Sequence, residues 1–176
     1  MIKDWIAEYT PNWDVVQQTG FKTNKPIKIK IEVDRQPPLH FRTEEKLLLR
    51  PFSFYVNCYS RPSLFAGKLH ALLYRKWNTR VKGRDWYDFE WYVKKGIALD
   101  IDHFLNRAKA SKDWDAELIS GEQIKDLLRQ KIDAVSFTNI KEDIVRFIKD
   151  EEVLAIWSAS YFKDLVDKMK FEELLK

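Results

Sequence analysis

Hydrophobic and polar positions alternate strictly over residues 27–34, "IKIKIEVD": Ile27, Ile29, Ile31 and Val33 point one way, and Lys28, Lys30, Glu32 and Asp34 the other. A period of two predicts a strand with one dry face. Pro37 and Pro38 end it, because neither supplies an N–H to a ladder. The aromatic and β-branched run "PFSFYVNCYS" (51–60) predicts a second strand. The intervening "HFRTEEKLLLR" fits a helix or a strand equally well.

After Pro62 the period changes to that of a helix. Leu64, Phe65, Leu69, Leu72 and Leu73 recur on one face of residues 63–76, with Ser63 placed as an N-cap. "NTRVKG" reads as a loop, and Asp85 to Lys95 as a helix that stops at Gly96. Further helices are predicted over about 102–110, 120–133, 138–149 and 159–175, with Asp100 and Ser120 at cap positions. The expected fold class is therefore α+β, a short sheet over residues 1–60 followed by a helical bundle over 61–176. Trp13, Trp77, Trp86, Trp91, Trp114 and Trp157 are expected in or beside the core. Residues 111–117, "SKDWDAE", are the expected mobile loop.

Composition narrows the function. A chain of 176 residues fits one domain or one with a small appendage, and its single cysteine, Cys58, excludes an internal disulfide and a multi-cysteine zinc site. Cys58 reads as a buried structural thiol in a reducing compartment. The start, "MIKDWIAEY", has no signal-peptide character, and no apolar run reaches the roughly 18 residues of a membrane span. A cytoplasmic protein without membrane contact is expected. The net charge of +4 conceals a division: residues 1–96 hold 18 Lys+Arg against 10 Asp+Glu, and residues 97–176 hold 13 against 17. That asymmetry points the first half at an anionic partner such as phosphate or nucleic acid. A solvated charged face is the plain alternative.

The chemistry concentrates in "GKLHALLYRKWNTRVKGRDWYDFEWY" (67–92). Seven basic residues and no acidic one lie between Arg61 and Arg84, and Asp85 and Asp88 follow directly. Lys68 and Arg75, seven apart, share a helix face, as do Asp85 and Asp88, three apart, and Arg84 can pair with Asp88 at i, i+4. A short loop between the two helices brings these groups together, either as a phosphate-binding cluster or as a surface ion-pair network of little energetic weight. Glu32 and Asp34, two apart on one strand face, either hold a divalent cation or form the polar face of an edge strand. His40, His70 and His103 have no second ligand at metal spacing, so a histidine metal site or hydrolase is not expected. His70 faces away from Lys68 and reads as a packing residue, and Tyr74, Trp86 and Tyr87 either stack on a base or pack in the core.

"KIKIEVD" with its prolines, "PSLFAGKLHALLYR" and "KGRDWYDFEWY", in that order over residues 25–110, resemble the AbiEii/AbiGii nucleotidyltransferase toxins of abortive-infection toxin–antitoxin systems. The resemblance implies a polymerase β-like fold, with residues 1–60 as part of its sheet. It also implies a nucleoside triphosphate and magnesium as ligands, tRNA or another RNA as acceptor, and a cognate antitoxin as partner. It matches Glu32 to the superfamily's third, metal-binding carboxylate, Lys68 to the helical lysine motif, and Asp85 and Asp88 to the later Asp-x-x-Asp motif with Arg84 beside it. Catalytic roles are thereby implied for Glu32, Lys68, Asp85 and Asp88, and phosphate contacts for Lys68, Arg84 and, less directly, Arg75.

The sequence departs from that pattern in one respect. The superfamily places a Gly-Ser turn and a metal-binding Asp-x-Asp pair before the third carboxylate. Here none of Gly20, Gly67, Gly83, Gly96 and Gly121 precedes a serine, and the triplets Asp100/Asp102 and Asp113/Asp115 both follow Glu32. Phosphoryl transfer relies on positioning and metal charge, so the expectation is a C-terminal portion that is inactive alone. A non-catalytic module that binds nucleic acid or an antitoxin is the alternative.

Overall fold

The computed structural model describes residues 2–9, 27–34, 38, 40–75 and 82–172, the first two stretches by their backbone. The chain is α+β and divides into two compact units, Met1–Pro37 and Pro38–Lys176.

In the first unit, β1 (Ile2–Tyr9) pairs antiparallel with β2 (Ile27–Asp34), in register from Ile2 opposite Asp34 to Tyr9 opposite Ile27. The alternating segment thus forms a strand over the residues its period indicated, and Glu32 stands opposite Asp4 in the ladder. The side chains of Glu32 and Asp34, together with Trp13, Trp77 and most of the loop at 78–81, lie outside the described residues.

In the second unit, β3 (Thr43–Leu48) and β4 (Phe54–Tyr59) form an antiparallel hairpin with Leu48 opposite Phe54. Residues 43–48, ambiguous by pattern, are a strand because β4 pairs with them. Cys58 is half-buried there rather than enclosed. Six helices follow among the described residues: α1 (Arg61–Tyr74), α2 (Gly83–Lys94), α3 (Ile101–Ala110), α4 (Gly121–Asp133), α5 (Phe137–Ile144) and α6 (Ala159–Asp167). Two-residue strands β5 (Ala98–Leu99) and β6 (Lys170–Phe171) pair in parallel.

Local chemistry explains where these helices start. Ser60, not Ser63, caps α1, its side chain accepting from the Ser63 N–H, because Pro62 fits the first turn where no intrahelical N–H is needed. Ser63 is instead buried and donates to Asp100 Oδ2 at 2.8 Å. Asp100 caps α3 through Oδ1 and the His103 N–H at 3.0 Å, and Ser120 with Gln123 closes a capping box on α4. α2 begins two residues before its predicted start because Asp143 accepts from the Gly83 N–H at 3.0 Å. Gly83 is required there, since a Cβ would stand 2.5 Å from the Ile140 carbonyl oxygen and 2.7 Å from Ile144 Cβ. Gly96, at φ +64°, ends that turn in the left-handed region.

Two predicted helices are shorter than their periodicity suggested. The segment predicted over 138–149 leaves the α-helix at Ile144 and continues as short 3₁₀ turns, Val145–Phe147 and Glu151–Leu154. The last helix ends at Asp167 because the following residues turn extended. The Glu172 N–H then donates to the Leu99 carbonyl at 2.9 Å, and Phe171 lies against Gly121.

The helices enclose one apolar core. Phe65 stacks on Tyr92 at 4.7 Å, and Phe162, fully buried, meets Trp86, Phe137 and Trp157 at 5.0–5.1 Å. Trp86 and Trp157 are core residues as expected, whereas Trp91 is 38% exposed. Within this core α2 also carries Glu90, 6% exposed, whose carboxylate accepts from Trp157 Nε1 at 3.2 Å and Tyr161 Oη at 2.5 Å and pairs with Lys94 at 2.7 Å.

A candidate anion-binding cleft

One side of α1 carries Ser63, Leu64, Gly67, Lys68 and Ala71 at helical spacing, and with Arg75, the residue that caps its C-terminus, they form one wall of a cleft of about 320 Å³. Ser63, Gly67 and Ala71 are small, which leaves the space that Lys68 and Arg75 border. Asp85 from α2, His103 and Arg107 from α3, and Tyr59 from β4 complete the lining. Arg107 lies close along α1: its guanidinium is 3.8 Å from where a Cβ on Gly67 would stand.

Lys68 Nζ binds Asp88 Oδ2 at 2.7 Å, so the predicted meeting of the two helices is made by this pair. Both partners are partly open to water, with side-chain exposures of 52% and 32%. The Lys68 ammonium is thereby held at the cleft rim by a contact that costs little to exchange for another anion. Asp85 lines the cleft itself. Burial pushes its carboxyl above the usual carboxylate range; Arg75 opposes that, Asp88 adds to it, and Lys68 and Lys82 oppose it.

Of the residues singled out by sequence, Lys68, Arg75 and Asp85 share this cleft, and Asp88 joins through Lys68. Arg84 is not among the lining residues: its guanidinium sits 5.5 Å from the centroid of the Phe147 ring, and Asp88 pairs with Lys68 instead of with Arg84. Tyr74 and Trp86 pack against or within the core, and Tyr87 is 40% exposed. Arg107 and Tyr59 were not legible in advance. Arg107 belongs to no motif and reaches the site only because α3 packs on α1. The one available signal was that residues 102–110 form a helix with cations at its C-terminal end.

Three cations with one half-buried carboxylate suit a polyanionic ligand, since guanidinium forks and an ammonium match phosphate oxygens in geometry and charge. A metal is less well served by these groups. Among the described residues, no group of three or more His, Cys, Asp or Glu side chains is placed to hold a metal ion. No helix among them is long and apolar enough to cross a membrane.

The fold and cleft therefore define an α+β protein with a cation-rich cleft lined from α1, α2 and α3. Residues 8–173 match the family described as "Nucleotidyl transferase AbiEii toxin, Type IV TA system", and the chain belongs to that family. The match bears out the resemblance carried by residues 25–110 and extends it through the C-terminal helices. No curated protein and no solved structure matches the chain significantly.

Proposed function

We propose that the cleft binds the phosphates of a nucleoside triphosphate and that the chain serves as the nucleotide- and RNA-gripping portion of a toxin–antitoxin nucleotidyltransferase. The convergence of Lys68, Arg75, Arg107 and Asp85 on one cleft, drawn from three different helices, carries this reading. Lys68 and Arg75 contact the phosphate chain, and Asp88 positions the Lys68 ammonium. Asp85, its carboxyl raised by burial, suits the acceptance of a proton from an acceptor hydroxyl, because a base is most effective when its pKa moves toward working pH. Arg84 extends the cationic surface beyond the cleft, where the phosphates of an RNA acceptor would lie. Glu32, in the first unit, is the candidate magnesium ligand of this chain.

The cleft alone offers a metal no complete set of ligands, and the sequence holds no Gly-Ser turn ahead of Glu32. The chain by itself is therefore proposed to bind without turnover, in the cytoplasm, with a cognate antitoxin as its protein partner. Titration with a fluorescent nucleoside triphosphate tests the binding reading. Affinity should fall steeply as salt rises, and Lys68→Glu with Arg75→Glu should lower it at least about tenfold, the equivalent of 1.4 kcal/mol. Wild-type affinity in the double variant would overturn the assignment. Should RNA bind with that salt dependence while nucleotides do not, the chain is a nucleic-acid-binding module, the reading that the basic run from Arg61 to Arg84 favours.

A further inference from the structure

His70 lies on α1 next to the cleft but outside its lining. Its Nε2 is 2.9 Å from Ser111 Oγ and 3.2 Å from Asp113 Oδ2, and Ser111 Oγ donates to the same Asp113 oxygen at 2.5 Å. These contacts fasten α1 to the segment that follows α3. That segment is tied back to α3, where Lys109 Nζ donates to the Glu117 carbonyl at 3.0 Å, and folds on itself, where Trp114 Nε1 donates to the Leu118 carbonyl at 3.1 Å. The expected mobile loop is thus a clasped one, with His70 as its point of attachment to α1.

The imidazole stands between two sets of charges. Asp113 faces it from the loop; Arg107 of α3 and Arg75, at the C-terminal cap of α1, act on it from the side of the cleft that both line. The rings of Tyr74 and Phe104 also lie beside it, with centroids at 5.2 and 6.3 Å. Burial above all, then Arg107, lower the proton affinity of His70; Asp113 opposes them, and Arg75 adds to the lowering.

We propose that anion binding in the cleft is coupled to proton uptake at His70, so that filling the cleft tightens the clasp on residues 111–118. The coupling rests on the cleft reading given above. A phosphate chain held by Arg107 and Arg75 cancels the positive field that opposes an imidazolium. The imidazole then takes one proton from solvent and donates a charge-assisted hydrogen bond to Asp113; no other bond forms or breaks. Linkage is reciprocal, so protonation of His70 tightens anion binding by the factor by which the anion favours protonation. Affinity rises as pH falls from the midpoint of the filled state toward that of the empty one.

Metal-free sodium tripolyphosphate titrated into the full chain tests this by NMR of the histidine side chains across pH 5 to 8.5. The chain has three histidines, and His70 is assigned through its contacts with the Tyr74 and Phe104 rings. The expected result is a His70 midpoint that moves to higher pH on saturation while that of His40 stays in place. Tripolyphosphate should also bind about fivefold more tightly at pH 6 than at pH 8, beyond the pH dependence that persists in His70→Asn, which absorbs the probe's own titration. Binding with an unmoved His70 midpoint overturns the coupling and leaves the cleft reading standing. Absence of binding at every pH overturns the cleft reading, and the coupling falls with it.

Discussion

Two carboxylates on α2, Asp85 and Glu90, sit five residues apart in sequence and in opposite circumstances. Glu90 is enclosed in the core, and both of its oxygens are engaged, one by Trp157 Nε1 and the other by Tyr161 Oη and Lys94. Asp85 is half-buried at a cleft, surrounded by the charges of Arg75, Lys68 and Lys82 and by the like charge of Asp88. The first side chain is saturated by neutral donors and one cation, so it contributes to a single packed arrangement of α2 and α6. The second stands at the cleft among charges of both signs, with burial raising its carboxyl. The contrast teaches that the chemical type of a residue says little about its role; the burial and the charges around it say more.

The largest expected effect comes from the saturated side. Glu90→Ala leaves the buried Trp157 N–H without its acceptor, at a cost of about 1–3 kcal/mol, to which the emptied volume adds. Denaturant unfolding should show this loss, while the folded fraction still binds triphosphate at wild-type affinity. Gly83→Ala comes next, because a Cβ must displace the Ile140 carbonyl and Ile144, at about 1–3 kcal/mol of overpacking. That variant moves the start of α2, so triphosphate affinity should drop together with the unfolding midpoint; loss of stability alone would separate helix placement from the cleft.

Asp85 is expected to act with the opposite sign. Its carboxyl is raised in the folded state, so the folded protein binds the proton more tightly than the unfolded chain does. Any stability it contributes is present below the ordinary carboxylate value and is lost as pH rises through the raised folded value. Asp85→Asn should therefore flatten that decline and leave the neutral-pH protein as stable as wild type or slightly more so, with triphosphate binding retained. A steeper decline in the variant would contradict the burial that separates Asp85 from its neighbours. The smallest effect belongs to the exposed pair: Lys68→Ala or Asp88→Ala should change unfolding free energy by less than about 1 kcal/mol. Lys68→Ala should nonetheless weaken triphosphate binding, and Asp88→Ala should do so less.

Much of this was legible in the residues themselves. The alternation at 27–34 marks a strand, Asp100 and Ser120 mark helix starts, and the ordered motifs around Lys68 and Asp85 carry the family likeness. Residues 43–48 were ambiguous because a hairpin exposed on both sides, with the adjacent Leu47 49% and Leu48 42% open to solvent on opposite faces, has no dry face to impose a period. The last helix was read too long because Phe171 is apolar in either conformation, and only Leu99 and Gly121, more than 40 residues earlier, draw it into a strand.

Sequence by itself determined the local elements and the chemistry available to them, since caps, periods and charge runs act within a few residues along the chain. Tertiary structure decided which of those charges share a space. It set Arg107 beside Gly67, turned Arg84 onto Phe147 and attached His70 to Asp113. Each of these outcomes follows from how α1, α2 and α3 pack with one another and α2 with the turn after α5, and electrostatic interaction depends on distance through space, which no spacing along a chain of residues specifies.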